Sequence, residues 1–444
     1  MLRRKNPFLS ALFLLLILIM TACSGGGGEG EETSADNDSG GSDSNEDVVE
    51  LDFWTFWGSE VRRPIVEQIV EDFNSSQDEI QVNHLFVPFD DIWTKSLAQI
   101  SAGDPPDVLV NDIRTTQQRA DKNQVENLSE FVDSDMENRF YPDLWNTVLH
   151  EDEPYAIPFN TDTRILFYNK DAFKEAGLDP DQPPETWEEL EEYAQQLDIQ
   201  NGDRYERIGY YPLWGSVGYD LWLGNADGGT AFIDENGEPA INSSEKVEAL
   251  EWVKGWQDRY GKRTIEEFSA NFGGEGANPF ISGQVAMYSD VATFYTNIRD
   301  FGEGMNIGVA AMPEKEEGNG HWSVGGGFVL EVPHGAENPE ASYEFIKFAT
   351  DHETQKYWAT ENFDNVANIE ASEAAVEELE GGEKETYQTS VEALEETMFF
   401  TAPFELPDYE DYIIPNIDEA MLDNMTPQEA LDQSQEEVEQ RLNE

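Results

Sequence analysis

The residue types that most often perform catalysis do not form a complete site in this sequence. Ser243-Ser244-Glu245-Lys246 has the spacing of a serine–lysine nucleophile, but the partner motifs that such enzymes need are missing, and the first serine is better explained as the N-cap of a helix. The five histidines, at 84, 150, 321, 334 and 352, lack zinc-ligand spacing, and no glycine loop with a lysine could hold phosphate. With 93 acidic residues in the chain, a pair of carboxylates such as glycoside hydrolases use could be chosen almost anywhere, so its presence does not indicate such an enzyme. We therefore expect no catalytic residue, metal ion or cofactor.

The first 47 residues have the features of an export signal followed by a tether. Three basic residues at 3–5 precede the apolar run Phe8–Met20, which is too short to cross a hydrocarbon layer of roughly 30 Å. The small residues before Cys23, the only cysteine, resemble the lipobox of bacterial lipoproteins, and an ordinary secretory signal is the alternative. We predict a signal peptide over 1–22, and a lipidated Cys23 with a disordered acidic Gly/Ser tether over 23–47. The protein is then anchored to the outer face of a bacterial cell membrane.

The remaining chain is long and strongly acidic. From Val48 to Glu444 it is too long for one hydrophobic core, so two lobes are expected. The formal net charge is −67, and self-repulsion of this size is screened only in concentrated salt, where the Debye length at 1 M is about 3 Å. We expect a saline or alkaline habitat and a monomer. Nucleic acid is excluded as a partner because phosphate contacts need clustered Lys and Arg.

Strand and helix patterns alternate after the tether. Strand-like runs occupy Val49–Trp57, Ile80–Val87 and Asp107–Val110, and apolar residues recur at helical spacing from Val61 to Phe73 and from Ile92 to Ile100. This order predicts an α/β fold with a parallel sheet and right-handed crossovers.

Several segments occur in a characteristic order along the chain. They are SAGDPPDV at 101–108, AIPFNTDT at 156–163, LFYNKDAF at 166–173, AGL at 176–178, PETWEEL at 184–190, DGG at 227–229, GQVAM at 283–287 and NPEA at 338–341. In order and spacing they resemble extracellular solute-binding protein family 1, the substrate-binding lipoproteins of carbohydrate ABC importers, which are maltose-binding-protein-like. The resemblance covers roughly 48–444, although the last 80 residues match only in their closing helix.

The resemblance implies a two-lobe periplasmic-binding-protein-like fold of type II, in which each lobe is a mostly parallel sheet flanked by helices. Residues 48–159 plus 287–330 would form lobe one, and 163–284 plus 334–444 would form lobe two. Strands crossing between the lobes would serve as the hinge, and the ligand would lie in the cleft.

A sugar needs aromatic rings against its C–H face and carboxylates or amides around its hydroxyl edge. In lobe one, candidates follow the first and third strands or lie on the crossing strand, where such sheets bind ligands: Trp54, Trp57, Asn111, Asp112, Arg114 and Asp162. Later candidates cluster before the double glycine, after Met287 and near a glycine triplet: Trp214, Tyr219, Trp222, Asp290, Tyr295, Trp322 and Gly326. The family's glycine-proline-tryptophan setting is replaced here by DVATFY at 290–295. For the aromatic candidates, burial in a core is the alternative.

We predict a lipid-anchored receptor that captures a mono- or oligosaccharide outside the cell and delivers it to the permease of an ABC importer, without performing chemistry. Three alternatives stay open. The solute could be a quaternary ammonium osmolyte held by cation–π attraction, and the protein could be a surface glycosidase or lyase, or a sensor subunit.

Overall fold

The structure is a computed structural model that describes residues 48–234, 237–270, 272, 278–399, 403 and 405–443. The predicted signal peptide at 1–22, the lipidated Cys23 and the tether up to residue 47 all lie outside the described residues. None of the helices in the described part of the chain combines the length and the hydropathy that a membrane-spanning segment requires.

Strands and helices alternate along most of the chain. The strands are β1 (Val49–Thr55), β2 (Ile80–Phe86), β3 (Val108–Asp112), β4 (Leu149–His150), β5 (Glu153–Pro154), β6 (Ile157–Thr161), β7 (Arg164–Asn169), β8 (Ile199–Asn201), β9 (Arg204–Arg207), β10 (Met287–Val291), β11 (Ile307–Ala310), β12 (Ser323–Gly325), β13 (Gly327–Glu331), β14 (Asn365–Val366) and β15 (Thr397–Phe399). The helices are α1 (Arg62–Ser76), α2 (Phe89–Ala102), α3 (Thr116–Asp121), α4 (Pro142–Thr147), α5 (Lys170–Ala176), α6 (Trp187–Leu197), α7 (Tyr219–Ala226), α8 (Ser244–Tyr260), α9 (Lys262–Ser269), α10 (Phe294–Phe301), α11 (Pro339–Ala349), α12 (His352–Asn362), α13 (Ile369–Glu378), α14 (Gly381–Ala393), α15 (Ile414–Met421) and α16 (Pro427–Leu442).

The larger sheet has the strand order β14-β6-β13-β3-β1-β2. β1 pairs in parallel with β2 and β3, as the alternating pattern of the first hundred residues predicts. β13 runs antiparallel to both β3 and β6, and β14 runs antiparallel to β6. The prediction of a mostly parallel sheet is therefore right only for the first three strands.

The smaller sheet has the order β10-β7-β11, and both outer strands run antiparallel to β7. The prediction of a mostly parallel sheet in lobe two is wrong. The two strands that pair with β7 are β10 and β11, which lie more than 100 residues later in the chain. The local periodicity of a strand does not reveal such a pairing or its direction. β12 and β15 form a separate parallel pair.

Two large hydrophobic cores divide the described chain. We call the first lobe the part that packs around Phe53, Phe159 and Tyr343, and the second lobe the part that packs around Phe167, Trp222 and Trp256. Burial in the first lobe follows strand and helix periods: Leu51 and Phe53 point inward from β1, and one face of α1 is buried.

The cores divide the second half of the chain differently from the predicted boundaries. Buried residues from Met287 to Val324 belong to the second lobe, although 287–330 was expected in lobe one. Those from Val329 to Tyr387 belong to the first lobe, although 334–444 was expected in lobe two; from Ala393 to Val438 they return to the second. The reason is tertiary: β13 inserts between β3 and β6, and helices α11 to α13 cover that sheet.

Three segments cross between the lobes side by side: 161–164, 324–327 and 387–397. The Thr161 hydroxyl donates to the carbonyl of Gly326 at 2.8 Å, and the hydroxyls of Thr163 and Thr397 are 2.6 Å apart. A Cβ added at Gly325 would lie 2.6 Å from the carbonyl oxygen of Asp162, so glycine permits this close approach. Crossing segments tied in this way form the hinge expected of two lobes.

Candidate ligand-binding site

A cavity of about 360 Å³ lies between the two lobes. Its lining comes from the segment after β1 on one side and from the segments around α10 and before α7 on the other: Phe56, Gly58, Ser59, Val61, Arg62, Ser216, Asp290, Val291, Thr293, Phe294, Thr296 and Asn297. Arg62 Nη2 donates to Thr293 Oγ1 at 3.2 Å, which is a direct contact between the lobes. The cavity therefore lies at the carboxyl end of β1, where parallel sheets commonly bind ligands.

Arg164 connects the hinge to the wall of this cavity. Its Nη1 donates to Asp162 Oδ1 at 2.5 Å and to the carbonyl of Val324 at 3.0 Å, and its Nε donates to the carbonyl of Ser216 at 2.6 Å. The backbone N–H of Gly326 also donates to Asp162 Oδ1, at 3.0 Å. One guanidinium thus holds two crossing segments and a cavity loop in a fixed arrangement.

Asp290 supplies the carboxylate on the second-lobe side of the cavity. It lies in β10, is only 8% exposed and accepts a hydrogen bond from the backbone N–H of Val291 at 2.8 Å. Burial raises the pKa of Asp290, while the Ser216 hydroxyl, the Val291 N–H and Arg164 oppose that rise. A carboxyl group that is already buried can accept a hydrogen bond from a hydroxyl group at little further desolvation cost.

A second polar group lies around Arg114. Arg114 donates to Asp112 through Nε at 3.1 Å and Nη2 at 2.9 Å, and this pairing raises the pKa of the guanidinium. Burial raises the pKa of Glu410 and of Asp220, and Arg114 opposes the rise in both. Arg164 also opposes the rise of the pKa of Asp220, so both arginines are close enough to act electrostatically on this carboxyl group. Arg114, in the first lobe, therefore lies near Asp220 and Glu410 of the second lobe.

Asp364 lies buried on the first-lobe side, near Arg62. Its Oδ2 accepts hydrogen bonds from Asn160 Nδ2 at 2.6 Å, Trp358 Nε1 at 3.2 Å and Asn362 Nδ2 at 3.4 Å. Burial raises the pKa of Asp364 to about 6, although Arg62 opposes the rise. The side-chain oxygens of Asn160 and Asn362 are buried and accept no hydrogen bond within the described chain.

These side chains suit a ligand that is uncharged and rich in hydroxyl groups. Nowhere in the described ranges do His, Cys, Asp and Glu side chains converge in an arrangement suited to a metal ion. The residues with nucleophile spacing also have structural roles: Ser243 caps α8 by accepting from the Lys246 N–H, and Lys246 Nζ donates to Asp227 at 2.5 Å.

The sequence profile of the family described as bacterial extracellular solute-binding protein matches residues 57–356. The chain belongs to this family. A relative from Salmonella paratyphi A, the sn-glycerol-3-phosphate-binding periplasmic protein UgpB, is 26% identical over 330 residues, which cover 70% of this chain and 72% of the relative.

Solved structures of other binding proteins share the fold. A structure described as CpMnBP1 with mannotriose bound has a TM-score of 0.77 at 24% identity and covers 88% of this chain and 100% of its own. An ABC transporter solute-binding protein from Thermotoga lettingae bound with α-D-tagatose has a TM-score of 0.74 at 22% identity, with 89% and 100% covered. These matches confirm the predicted two-lobe α/β fold of this solute-binding protein.

The structure brings five of the predicted site residues to the interlobe region. Asp162, Asp290 and Gly326 surround Arg164 near the hinge, and Asp112 pairs with Arg114 opposite Glu410.

Three predicted tryptophans lie instead inside the two cores. Trp57 is 1% exposed and packs on Phe159 and Trp358. Trp222 is fully buried and donates through Nε1 to the carbonyl of Pro212, and Trp214 is buried and donates to the hydroxyl of Ser269. None of the three can stack on a ligand in this conformation, because protein side chains occupy their faces.

The other predicted residues serve local packing or hydrogen bonding. Trp54 packs beneath α2, and buried Asn111 donates to Glu331 at 3.1 Å. The Tyr219 hydroxyl donates to Asp418 at 3.2 Å.

The last two predicted residues, Tyr295 and Trp322, do not line the cavity. Tyr295 packs against Phe363 with ring centroids 5.0 Å apart. Trp322 covers Gly229, where an added Cβ would lie 2.4 Å from the indole ring.

Sequence reasoning missed several residues of the site. Phe56 lies two positions after Trp54, so period-two alternation places both on the same face, and Phe56 could have been found in this way. Arg164 lies between the family-like segments at 156–163 and 166–173, two residues after Asp162. Arg62 and Ser216 carry no local signal, since only the packing of the lobes brings them to the cavity. The same holds for Asp220, which comes under the influence of Arg164 and Arg114.

Proposed function

We propose that this solute-binding protein captures a neutral sugar or oligosaccharide between its lobes and delivers it to the permease of an ABC importer. The observation that carries this proposal is the chemistry of the cavity, where Phe56 offers an apolar ring and Asp290, Ser216 and Asn297 offer hydrogen-bonding groups. Aromatic rings and oriented polar groups on opposite sides match the C–H face and hydroxyl edge of a pyranose.

A phosphorylated polyol is the second candidate, favoured by the relatives that bind sn-glycerol 3-phosphate. Charge weighs against it. Two of the three arginines of the interlobe region already pair with carboxylates, Arg114 with Asp112 and Arg164 with Asp162. Asp220 and Asp290 add further carboxyl groups, which would repel a phosphate dianion in a site of low dielectric.

We also propose the anchoring and habitat that the sequence suggests. Removal of 1–22 and lipidation of Cys23 would leave the folded part attached to the outer face of the membrane by the segment up to 47. The net charge of −67 favours a monomer that works in concentrated salt. Like other members of the family, it would bind its solute without catalysing a reaction.

Calorimetric titration tests the proposal. The protein lacking residues 1–47 is titrated in 1 M NaCl with mannobiose, mannotriose, maltose, glycerol 3-phosphate and glycine betaine. We expect binding of a neutral sugar and no release of hydrolysis products on prolonged incubation. Binding of glycerol 3-phosphate alone or betaine alone would contradict the proposal, and turnover of an oligosaccharide would show that the protein is an enzyme.

A further inference from the structure

A row of aromatic side chains continues the cavity outward along the edge of the first lobe. Phe56, Phe86, Phe89 and Trp93, here called the aromatic ledge, come from the end of β1, the end of β2 and the start of α2. Phe86 is 43% exposed and Phe89 is 48% exposed, which is unusual for side chains of this size. Exposed aromatic groups next to a cavity indicate a binding surface.

The ledge is held in place by ring contacts that start at the hinge. Phe328, one residue after Gly327 in β13, packs on Phe56 with centroids 4.7 Å apart. Phe56 meets Phe89 at 5.0 Å and 89°, and Phe89 meets Trp93 at 4.7 Å and 77°. Edge-to-face contacts of this kind fix the inner rings and leave an outer ring face for a ligand.

The ledge is continuous with the cavity. Phe56 and Gly58 line the cavity, and Phe86 pairs in register with Thr55, the residue before Phe56. A Cβ added at Gly58 would lie 2.2 Å from the Phe86 ring, so glycine allows this ring to rest against the cavity loop.

The surroundings of the ledge favour a carbohydrate over a protein. Asp90 and Asp91 are exposed in the first turn of α2, beside Phe89, where they offer acceptors for hydroxyl groups. A second copy of this chain would bring another charge of −67 to the same acidic surface, which opposes self-association.

We propose that the aromatic ledge is an outer subsite that stacks on a further ring of the ligand, so that the protein prefers an oligosaccharide to a monosaccharide. This inference rests on the proposed function, since it presumes that the first ring lies in the cavity between the lobes. The ledge then sets the preferred length of the ligand.

The test compares the wild-type protein with Phe89→Ala and with the double variant Phe86→Ala/Phe89→Ala. The matched control is Phe301→Ala, because Phe301 is 44% exposed at the end of α10, outside the ledge. Each protein is titrated in 1 M NaCl with mannose, mannobiose and mannotriose and with glucose, maltose and maltotriose, and thermal melting confirms folding.

We expect the wild type to bind a di- or trisaccharide more tightly than the monosaccharide of the same series. The double variant should lose roughly tenfold in affinity for the longer sugar, keep its monosaccharide affinity within about twofold, and differ from Phe301→Ala in this respect. Equal affinity of the wild type for short and long sugars, or no change in the double variant, would overturn the ledge alone.

Two other outcomes have distinct meanings. If the wild type binds no sugar of either series, both the ledge and the proposed function are overturned. If sedimentation shows a wild-type dimer that the double variant abolishes, the ledge is a protein contact and the inference is overturned while sugar binding stands.

Discussion

The two lobes present different chemistry to the cavity that they share. The first lobe contributes Phe56 and the guanidinium of Arg62, and the aromatic ledge continues from it. The second lobe contributes hydroxyl, amide and carboxyl groups, among them Ser216, Asp290 and Asn297. A ligand must therefore touch both lobes to satisfy both its apolar face and its polar edge.

If the ligand is a sugar, as proposed, this difference makes its binding depend on contacts with both lobes. Stacking on the first lobe alone leaves the hydroxyl groups of a sugar to water, and hydrogen bonding to the second lobe alone leaves its C–H face unpaired. Under the proposed function, a sugar would therefore stabilise an arrangement in which both lobes contact it over one in which only one lobe does. The following substitutions each change one polar group in one of the two lobes.

Arg164→Ala should have the largest effect, because it removes the group that orders the polar wall of the second lobe. The change leaves Asp162 without its guanidinium partner and frees the Ser216 loop. We expect the free energy of unfolding to fall by about 3 kcal/mol and sugar binding to be lost. Urea denaturation and calorimetric titration measure the two effects.

The matched control is Arg263→Ala, whose side chain is 90% exposed in α9. It should change the free energy of unfolding by less than about 0.5 kcal/mol. If Arg164→Ala behaves like this control in both measurements, the guanidinium does not organise the second-lobe wall.

Asp364→Asn replaces the buried carboxyl group of Asp364 in the first lobe by an uncharged amide. Burial raises the pKa of Asp364 from 3.8 to about 6, so the folded state binds this proton more tightly than the unfolded state does. The associated stability is present below pH 4 and is lost as the pH rises through 6, a change of about 3 kcal/mol. The amide of the variant imitates the protonated group, so the variant should be more stable than the wild type at pH 7 and similar to it at pH 4.

Urea denaturation at pH 4, 5, 6 and 7 measures this difference. Asp78→Asn, at an exposed aspartate between α1 and β2, serves as the control for the substitution of a surface carboxylate by an amide. A constant difference for Asp364→Asn across the same range would show that Asp364 does not titrate there.

Asp290→Asn should have the smallest effect on the fold and a selective effect on binding. Burial already raises the pKa of this carboxyl group, so the neutral amide should leave the melting temperature unchanged or slightly higher. Loss of a charged acceptor should weaken sugar binding roughly ten- to hundredfold. Asp258→Asn, at an exposed position of α8, should leave the affinity unchanged, and equal affinity in both variants would place the polar edge of the ligand elsewhere.

Sequence reasoning predicted much of the first lobe because its signals are local. The apolar face of α1 and the strands β1 to β3 follow from periodicity within a few residues. The family-like segment at 156–163 contains Asp162, which was predicted on the crossing strand and lies there.

The aromatic side of the site could not be predicted in this way. Trp57 follows β1 as Phe56 does, yet Trp57 is buried because Trp358, 301 positions later, supplies its packing partner. Phe56 stays partly exposed because its neighbours Phe89 and Phe328 leave one side open to the cavity. The choice between them depends on long-range packing and leaves no trace in the residue types.

The amino-acid sequence was enough to establish the α/β class, the family, the early strands and helices and the segment that crosses at Asp162, because each depends on neighbours in the chain. Only the tertiary structure decided the antiparallel order of the second sheet, the return of 329–387 to the first lobe and the aromatic rings that face the cavity. These features depend on which distant surfaces exclude water together, and burial of that kind is a property of the assembled lobes.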